Sequence, residues 1–422
     1  MTTVQPQRAG FSVQRLSRVD KLLERYVEGG HLAGALGLIY RKGEVAYNSA
    51  IGQRNLETGQ PMTEDTIFRI YSMTKPITAV AALMLFEDGH FLLDDPVATY
   101  LPEFEDVKVC TGDLANLVPP DRPPTVKDLF MHTAGLSYGW GEDSPVEKLY
   151  RQNVGNRERS SLETFVPKLA ALPLLYHPGT RWLYSLATDV LGRVVEVLSG
   201  KTLDVFFQQE IFKPLAMNDT AFHVHADSLD RFAACYCPPG GFNFGSDLAN
   251  RANTRPGHGD DQEKPVQPPI ELFDAPHNSR YTKPPAFLSG GGGLVSTLGD
   301  YLRFTQMLLN DGILDGNRLL GRKTIELMRA NHLPADLVPI TFGDDARSGH
   351  GFGLGMSALV DVPASSAPAT VGIYGWGGLA TTRFWIDPAE DMVGLFMTQF
   401  IPSDYYPIES EFQLAVYQAL VD

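Results

Sequence analysis

Ser72-Met-Thr-Lys75 sets a hydroxyl and an amine three residues apart. On a helix that spacing puts both side chains on one side of a single turn. A neutral amine in that position can take the hydroxyl proton and make the serine a nucleophile. Neutrality requires that burial or a nearby cation pull the lysine below its free value of about 10.4. If the pair opens a helix, free backbone N–H groups and the positive end of the helix dipole also face a developing oxyanion. The pattern alone fits a capping serine beside a solvated lysine, so its surroundings matter. Ile77, Val80, Ala81, Met84 and Leu85 form a helical stripe between Tyr71 and Glu87, and Gly89 stands where a C-terminal cap belongs. Pro76 is tolerated only near a helix start, which places that start within a few residues of Ser72 and predicts a helix buried on one face.

Other segments compete for a chemical role. Gly135-Leu-Ser-Tyr-Gly139 has the GxSxG pattern of a nucleophile elbow, but such an elbow needs a strand before it and a helix after it. Here His132-Thr-Ala precedes and Trp140-Gly141 follows, so Ser137 is expected in a loop near a pocket mouth. His132 is a base only in a Ser/His reading. Gly290 to Gly293 lacks the Lys-Ser/Thr of a phosphate loop and is not GxGxxG; its glycines would let the backbone turn tightly. His223-Val-His225 offers two ligands and no HExxH companion, so no metal is expected. Tyr138, Trp140, Trp182 and Trp376 fit either a pocket lining or ordinary core.

The elements around these residues follow from periodicity. Residues 14–29 carry apolar positions at helical spacing, and Leu32 to Asn55 reads as two strands around Arg41-Lys42-Gly43. From about 105 to 288 short helical segments alternate with Pro- and Gly-rich loops. The polar stretch 238–285 is long enough to cover a site as a lid or to be partly mobile. Thr297 and Asp300 form a capping-box-like pair at the next helix. Strand-like runs return at His350–Leu359, Thr370–Tyr374, Thr381–Ile386 and Met392–Thr398, and 408–421 reads as a closing helix. An α/β (α+β) protein is expected, with 1–105 and 289–422 forming a sheet domain and 106–288 a helical domain with long loops.

The chain has 422 residues, 43% of them hydrophobic, which is enough for a large core. Its formal net charge of −15 and lack of a basic cluster argue against nucleic-acid binding. Three cysteines, Cys110, Cys235 and Cys237, suggest neither a disulfide framework nor a zinc site. No apolar run approaches the ~18 residues needed to span a bilayer, and the N-terminus has no apolar leader core. A soluble cytoplasmic protein is expected.

Ser-x-x-Lys on an apolar helix is followed in order by four further motifs. They are Leu129-Phe-Met-His-Thr-Ala-Gly-Leu136, Tyr184-Ser-Leu186 after Pro178-Gly-Thr, Gly291-Gly-Gly-Leu-Val-Ser-Thr297, and Trp376-Gly-Gly378. From about 15 to 420 this order resembles the serine β-lactamase and penicillin-binding-protein superfamily, and most of all the family VIII carboxylesterases, which look like class C β-lactamases. The resemblance implies a β-lactamase-like fold, an antiparallel sheet flanked by helices plus a helical domain, with the active site between them.

It also implies Ser72 as acyl-accepting nucleophile, Lys75 as its proton partner and Tyr184 as a second base lowered by the Lys75 ammonium. Backbone N–H groups of Ser72 and Leu379 would form the oxyanion hole. Trp376, Gly377 and Gly378 would occupy the place of the β-lactamase Lys-Thr-Gly box and line the pocket with Tyr138 and Leu186. Trp376 replaces a lysine that grips a substrate carboxylate, and Leu186 an asparagine that binds an amide. A site without those polar partners suits a short-chain or apolar, neutral carboxylic ester. No cofactor is implied; the partner is a small-molecule ester. A β-lactamase, a D-amino-acid peptidase or an acyltransferase would use the same serine, lysine and tyrosine. A non-catalytic binding protein of this fold would have lost one of the three.

Overall fold

The computed structural model describes residues 4–141, 144–154, 157–243, 270–343 and 345–422. Helix α1 (Val13–Glu28) opens at Ser12, whose side chain accepts the Arg15 N–H. Strands β1 (Gly34–Arg41) and β2 (Glu44–Asn55) follow, joined by Lys42 and Gly43 at φ 52° and 80°. Two successive left-handed residues give a turn whose twist matches the hairpin.

The sheet is completed by β3 (Gln60–Pro61), β4 (His350–Phe352), β5 (Ser357–Leu359), β6 (Tyr374–Gly378), β7 (Thr382–Asp387) and β8 (Met392–Met397). Its order is β4-β5-β6-β7-β8-β1-β2-β3, with every neighbouring pair antiparallel. Leu36 faces Met397 across the β1–β8 seam.

Alternation along the central strands divides the core. Trp385 and Phe396 join Leu16, Val19 and Leu23 of α1 and Phe412 of α6 (Ile408–Tyr417) on one face. Phe384, Leu395 and Met397 join the larger core on the other face. That core contains α2 (Thr74–Glu87), α3 (Val126–Met131), α4 (Ala187–Ser199) and α5 (Leu298–Leu309). Gly394 lies directly beneath the Trp385 ring, where a Cβ would stand only 2.1 Å from it. The architecture is the mixed α/β one that the motifs implied, a large antiparallel sheet covered by helices on both faces.

Several local expectations change. Helix α2 is buried all round from Thr74 to Leu83, not on one face, because α4 packs against it as well as the core above the sheet. Its cap is Asp88, followed by Gly89 at φ 78°. The run 350–359 divides into two strands around Gly355, and the strand expected over 370–374 begins only at Tyr374. Thr297 caps α5 by accepting the Asp300 N–H at 3.1 Å. The reciprocal half is missing, because the Asp300 carboxylate binds the Asp219 N–H and Thr220 hydroxyl instead.

The stretch proposed as a lid falls largely outside the described residues; Cys235–Cys237, just before it, pairs with Glu271–Asp274 within it. No helix among the described residues is long and apolar enough to cross a membrane, and no described His/Cys/Asp/Glu group has a metal-binding arrangement.

Candidate active site

Ser72 sits in a 3-10 turn, Tyr71–Met73, that runs directly into α2. Tyr71 before it has φ 40°, a left-handed conformation that costs a bulky side chain about 1–3 kcal/mol. The turn is held from both sides. Ile67–Arg69 pairs with Val295–Thr297, Ile70 N–H donates to Leu294 O at 3.1 Å, and Leu294 N–H donates to Thr74 Oγ1 at 3.1 Å. These bonds bring the glycine segment 290–293 against the start of α2.

Lys75 is fully buried. Its Nζ lies 3.3 Å from Ser72 Oγ, 3.0 Å from Tyr138 OH and 2.6 Å from Gly291 O. These three contacts take up the three free directions of the amine nitrogen, and no carboxylate among the described residues pairs with it.

Tyr184 approaches differently. Its ring face lies 4.4 Å from Lys75 Nζ, while its hydroxyl accepts Trp376 Nε1–H at 3.2 Å. The hydroxyl that meets the lysine is therefore that of Tyr138, a contact missing from the sequence reading. Burial first, then the neighbouring Tyr184 and Asp189 charges, push the Tyr138 phenol well above its ordinary value. It stays protonated. Trp140 stacks on Tyr138 with centroids 4.2 Å apart, and Trp182 lies nearly parallel to Tyr184 at 6.1 Å. Phe342, on a short hairpin that sequence reasoning passed over, adds a wall 5.4 Å from the Tyr184 ring.

Strand β6 closes the other side. A Cβ on Gly378 would stand 2.4 Å from the Ile70 carbonyl and 2.3 Å from Thr382 Oγ1, so only glycine lets the strand run this close to the serine turn. The Ser72 and Leu379 N–H groups make no hydrogen bond among the described residues, which leaves both able to donate.

Leu186 needs correction as a pocket residue. It is wholly buried in the helical core at the start of α4 and has no surface to offer a substrate.

The rival residues take other positions. Ser137 is buried rather than at a pocket mouth; its hydroxyl faces both Glu147 oxygens at 2.9 and 2.8 Å and accepts the Gly139 N–H. It locks the loop that carries Tyr138. His132, left-handed at the end of α3, accepts the Ser185 N–H at 3.3 Å, and burial plus the Lys75 charge hold it well below its usual range. It is neutral and has no contact with Ser72. The glycine segment makes the tight turn expected of it, Gly292 and Gly293 N–H both donating to Ser289 O, at 3.3 and 2.9 Å, and Gly291 also allows close approach: a Cβ there would stand 2.8 Å from Asp189 Oδ2. His223 and His225 lie ring to ring with no further ligand group beside them among the described residues.

The chain matches the Beta-lactamase family over residues 19–416. Protein Rv1367c of Mycobacterium tuberculosis is 34% identical over 89% of this chain and 88% of its own. Esterase EstB of Burkholderia gladioli is 31% identical over 94% of each chain. Among solved structures, EstCE1, described as a hydrolase with promiscuous acyltransferase activity, aligns with a TM-score of 0.77 and 28% identity over 96% of this chain and 99% of its own. The chain belongs to the Beta-lactamase family and is a serine hydrolase of that superfamily.

Proposed function

We propose that the protein is a carboxylesterase that hydrolyses short-chain or apolar esters through an acyl-enzyme on Ser72. The observation that carries this reading is Lys75, buried with its amine shared among Ser72 Oγ, Tyr138 OH and Gly291 O. Lys75 takes the Ser72 proton as Oγ attacks the ester carbonyl, and the Ser72 and Leu379 N–H groups receive the oxyanion. Tyr184 passes a proton to the departing alkoxide, which leaves as the alcohol. Water then adds to the acyl carbonyl, its proton returns through the same groups, and the acid leaves with Ser72 restored.

The aromatic rings around the site and Trp376 in place of a cation favour a neutral, apolar ester over a carboxylate-bearing β-lactam. The name of esterase EstB agrees with ester chemistry, and the description of EstCE1 as a hydrolase is compatible with it. EstCE1 also supports a second reading, transfer of the acyl group to an alcohol where the rings exclude water.

The test is hydrolysis of p-nitrophenyl butyrate beside nitrocefin by the wild type and by Ser72→Ala. Fast ester cleavage lost in the variant, with slow nitrocefin turnover, is expected. Equal ester cleavage by both proteins removes Ser72 from the mechanism; fast nitrocefin turnover moves the substrate to β-lactams. Adding butanol to the assay separates the two acceptors, since transfer yields butyl butyrate.

A further inference from the structure

A buried carboxylate stands behind Lys75. Asp189 lies in the first turn of α4 and is 1% exposed. Its Oδ1 accepts the Ser289 hydroxyl at 2.6 Å and the Gly291 N–H at 3.1 Å. The carbonyl of that same glycine takes the shortest of the three Lys75 bonds, at 2.6 Å. Thr78, one turn along α2 from Lys75, donates to the adjacent Gly290 carbonyl at 2.7 Å. The segment that receives the amine is thus tied to α4 through Asp189 and to α2 through Thr78.

Glycine 291 is what allows this. Its missing side chain leaves room for two groups at once, because a Cβ there would stand 2.8 Å from Asp189 Oδ2 and 3.0 Å from Tyr138 OH. A carboxylate so deep in the protein loses its hydration, and its bonds to the loop offset part of that loss. Without them the glycine segment keeps only its turn bonds from Gly292 and Gly293 N–H to Ser289 O and the Thr78 bond, and the Gly291 carbonyl is less firmly aimed.

We propose that Asp189 is the positioning residue for Lys75: by clamping Ser289 and Gly291 it fixes the carbonyl that aims the amine at Ser72. The inference rests on Ser72 and Lys75 being the acylating pair. Asp189 makes no hydrogen bond to Ser72, so it acts through the lysine. Its charge has a second effect on the same site. Burial does most to keep the Tyr138 hydroxyl protonated where it meets Lys75, and the Asp189 charge adds to it.

The test measures the rate at which a fluorophosphonate labels Ser72, with steady-state kcat and KM on p-nitrophenyl butyrate. Asp189→Ala is expected to slow labelling and lower kcat about 10- to 100-fold, the loss of one or two charge-assisted hydrogen bonds, with KM within about threefold. Asp189→Asn keeps an acceptor oxygen for both donors and is expected to recover labelling to within about fivefold of wild type. In a Lys75→Ala background, Asp189→Ala should cause no further loss, since the group it positions is gone. Ser289→Ala, which removes the clamp's 2.6 Å bond, serves if Asp189→Ala fails to fold, and a several-fold loss is expected. Wild-type labelling by Asp189→Ala, or by Ser289→Ala where it stands in, would overturn the inference. So would an equal loss with and without Lys75. A wild type that takes no label at Ser72 would instead overturn the proposed function itself.

Discussion

The two walls of the site are built on different principles. On the helical side, Lys75, Tyr138 and Asp189 are titratable, buried and tied by hydrogen bonds. Behind them Ser137 and Glu147 lock the Tyr138 loop. On the sheet side, Trp376, Gly377 and Gly378 carry no titratable group, and the strand is placed by steric contact with Ile70 and Thr382. Hydrogen-bonded clamps allow proton donors and acceptors to be oriented within a few tenths of an ångström, whereas close packing of a glycine strand sets how near a carbonyl comes to two backbone N–H groups. One wall moves protons and the other shapes space.

The contrast breaks most readily on the steric side. Gly378→Ala pushes a methyl into the Ile70 carbonyl, and the turn carrying Ser72 has to shift. A loss of about 2–3 kcal/mol in urea unfolding and a fall of ~100-fold in Ser72 labelling are expected. Wild-type labelling would mean that the serine turn is independent of the strand. On the hydrogen-bonded side the two tyrosines should separate. Tyr184→Phe is expected to lower kcat about 100-fold through loss of a proton donor, and Tyr138→Phe about tenfold through loss of one bond to Lys75, both with unfolding free energies near wild type. The opposite order would make Tyr138 the proton donor and Tyr184 its support.

The parts of this site legible in the sequence are those fixed by local rules. Pro76 limits where α2 begins, Gly43 permits the β1–β2 turn, and ordered motifs identify the fold. The parts that were not legible depend on what folds back from far away. Leu186 follows a candidate base by two residues, yet the packing of α4 carries it wholly into the core. Tyr138 sits in a loop whose direction is set by the bond from Ser137 to Glu147, ten residues on from that serine, so its contact with Lys75 has no signal in either segment. α2 carries a stripe that predicts one buried face, while α4 covers the other. Phe342 reaches the site from a two-residue strand too short to leave a periodic trace.

The sharpest test of the contrast is its apparent exception. Behind Gly377, on the face of the sheet covered by α6, Arg383 and Glu409 are both inside the protein, and Arg383 reaches only one Glu409 oxygen, at 3.3 Å. The other oxygen, Oε1, has no hydrogen-bond partner among the described residues. Burial, with a contribution from Asp404 and against the pull of Arg383 and Arg347, raises the Glu409 carboxyl from 4.5 to about 7. A folded value above the unfolded one means that the fold favours the protonated acid. Its stabilising contribution is therefore complete below about pH 4.5 and is lost as pH rises through about 7. Glu409→Gln keeps the shape of that neutral form at every pH. Between pH 5 and pH 8, the urea-unfolding free energy of the wild type should fall relative to the variant by on the order of 1–2 kcal/mol. A constant difference across that range would mean that Arg383 and Arg347 together hold the carboxylate ionised throughout, and the sheet wall would then rest on charge pairing as well as on packing.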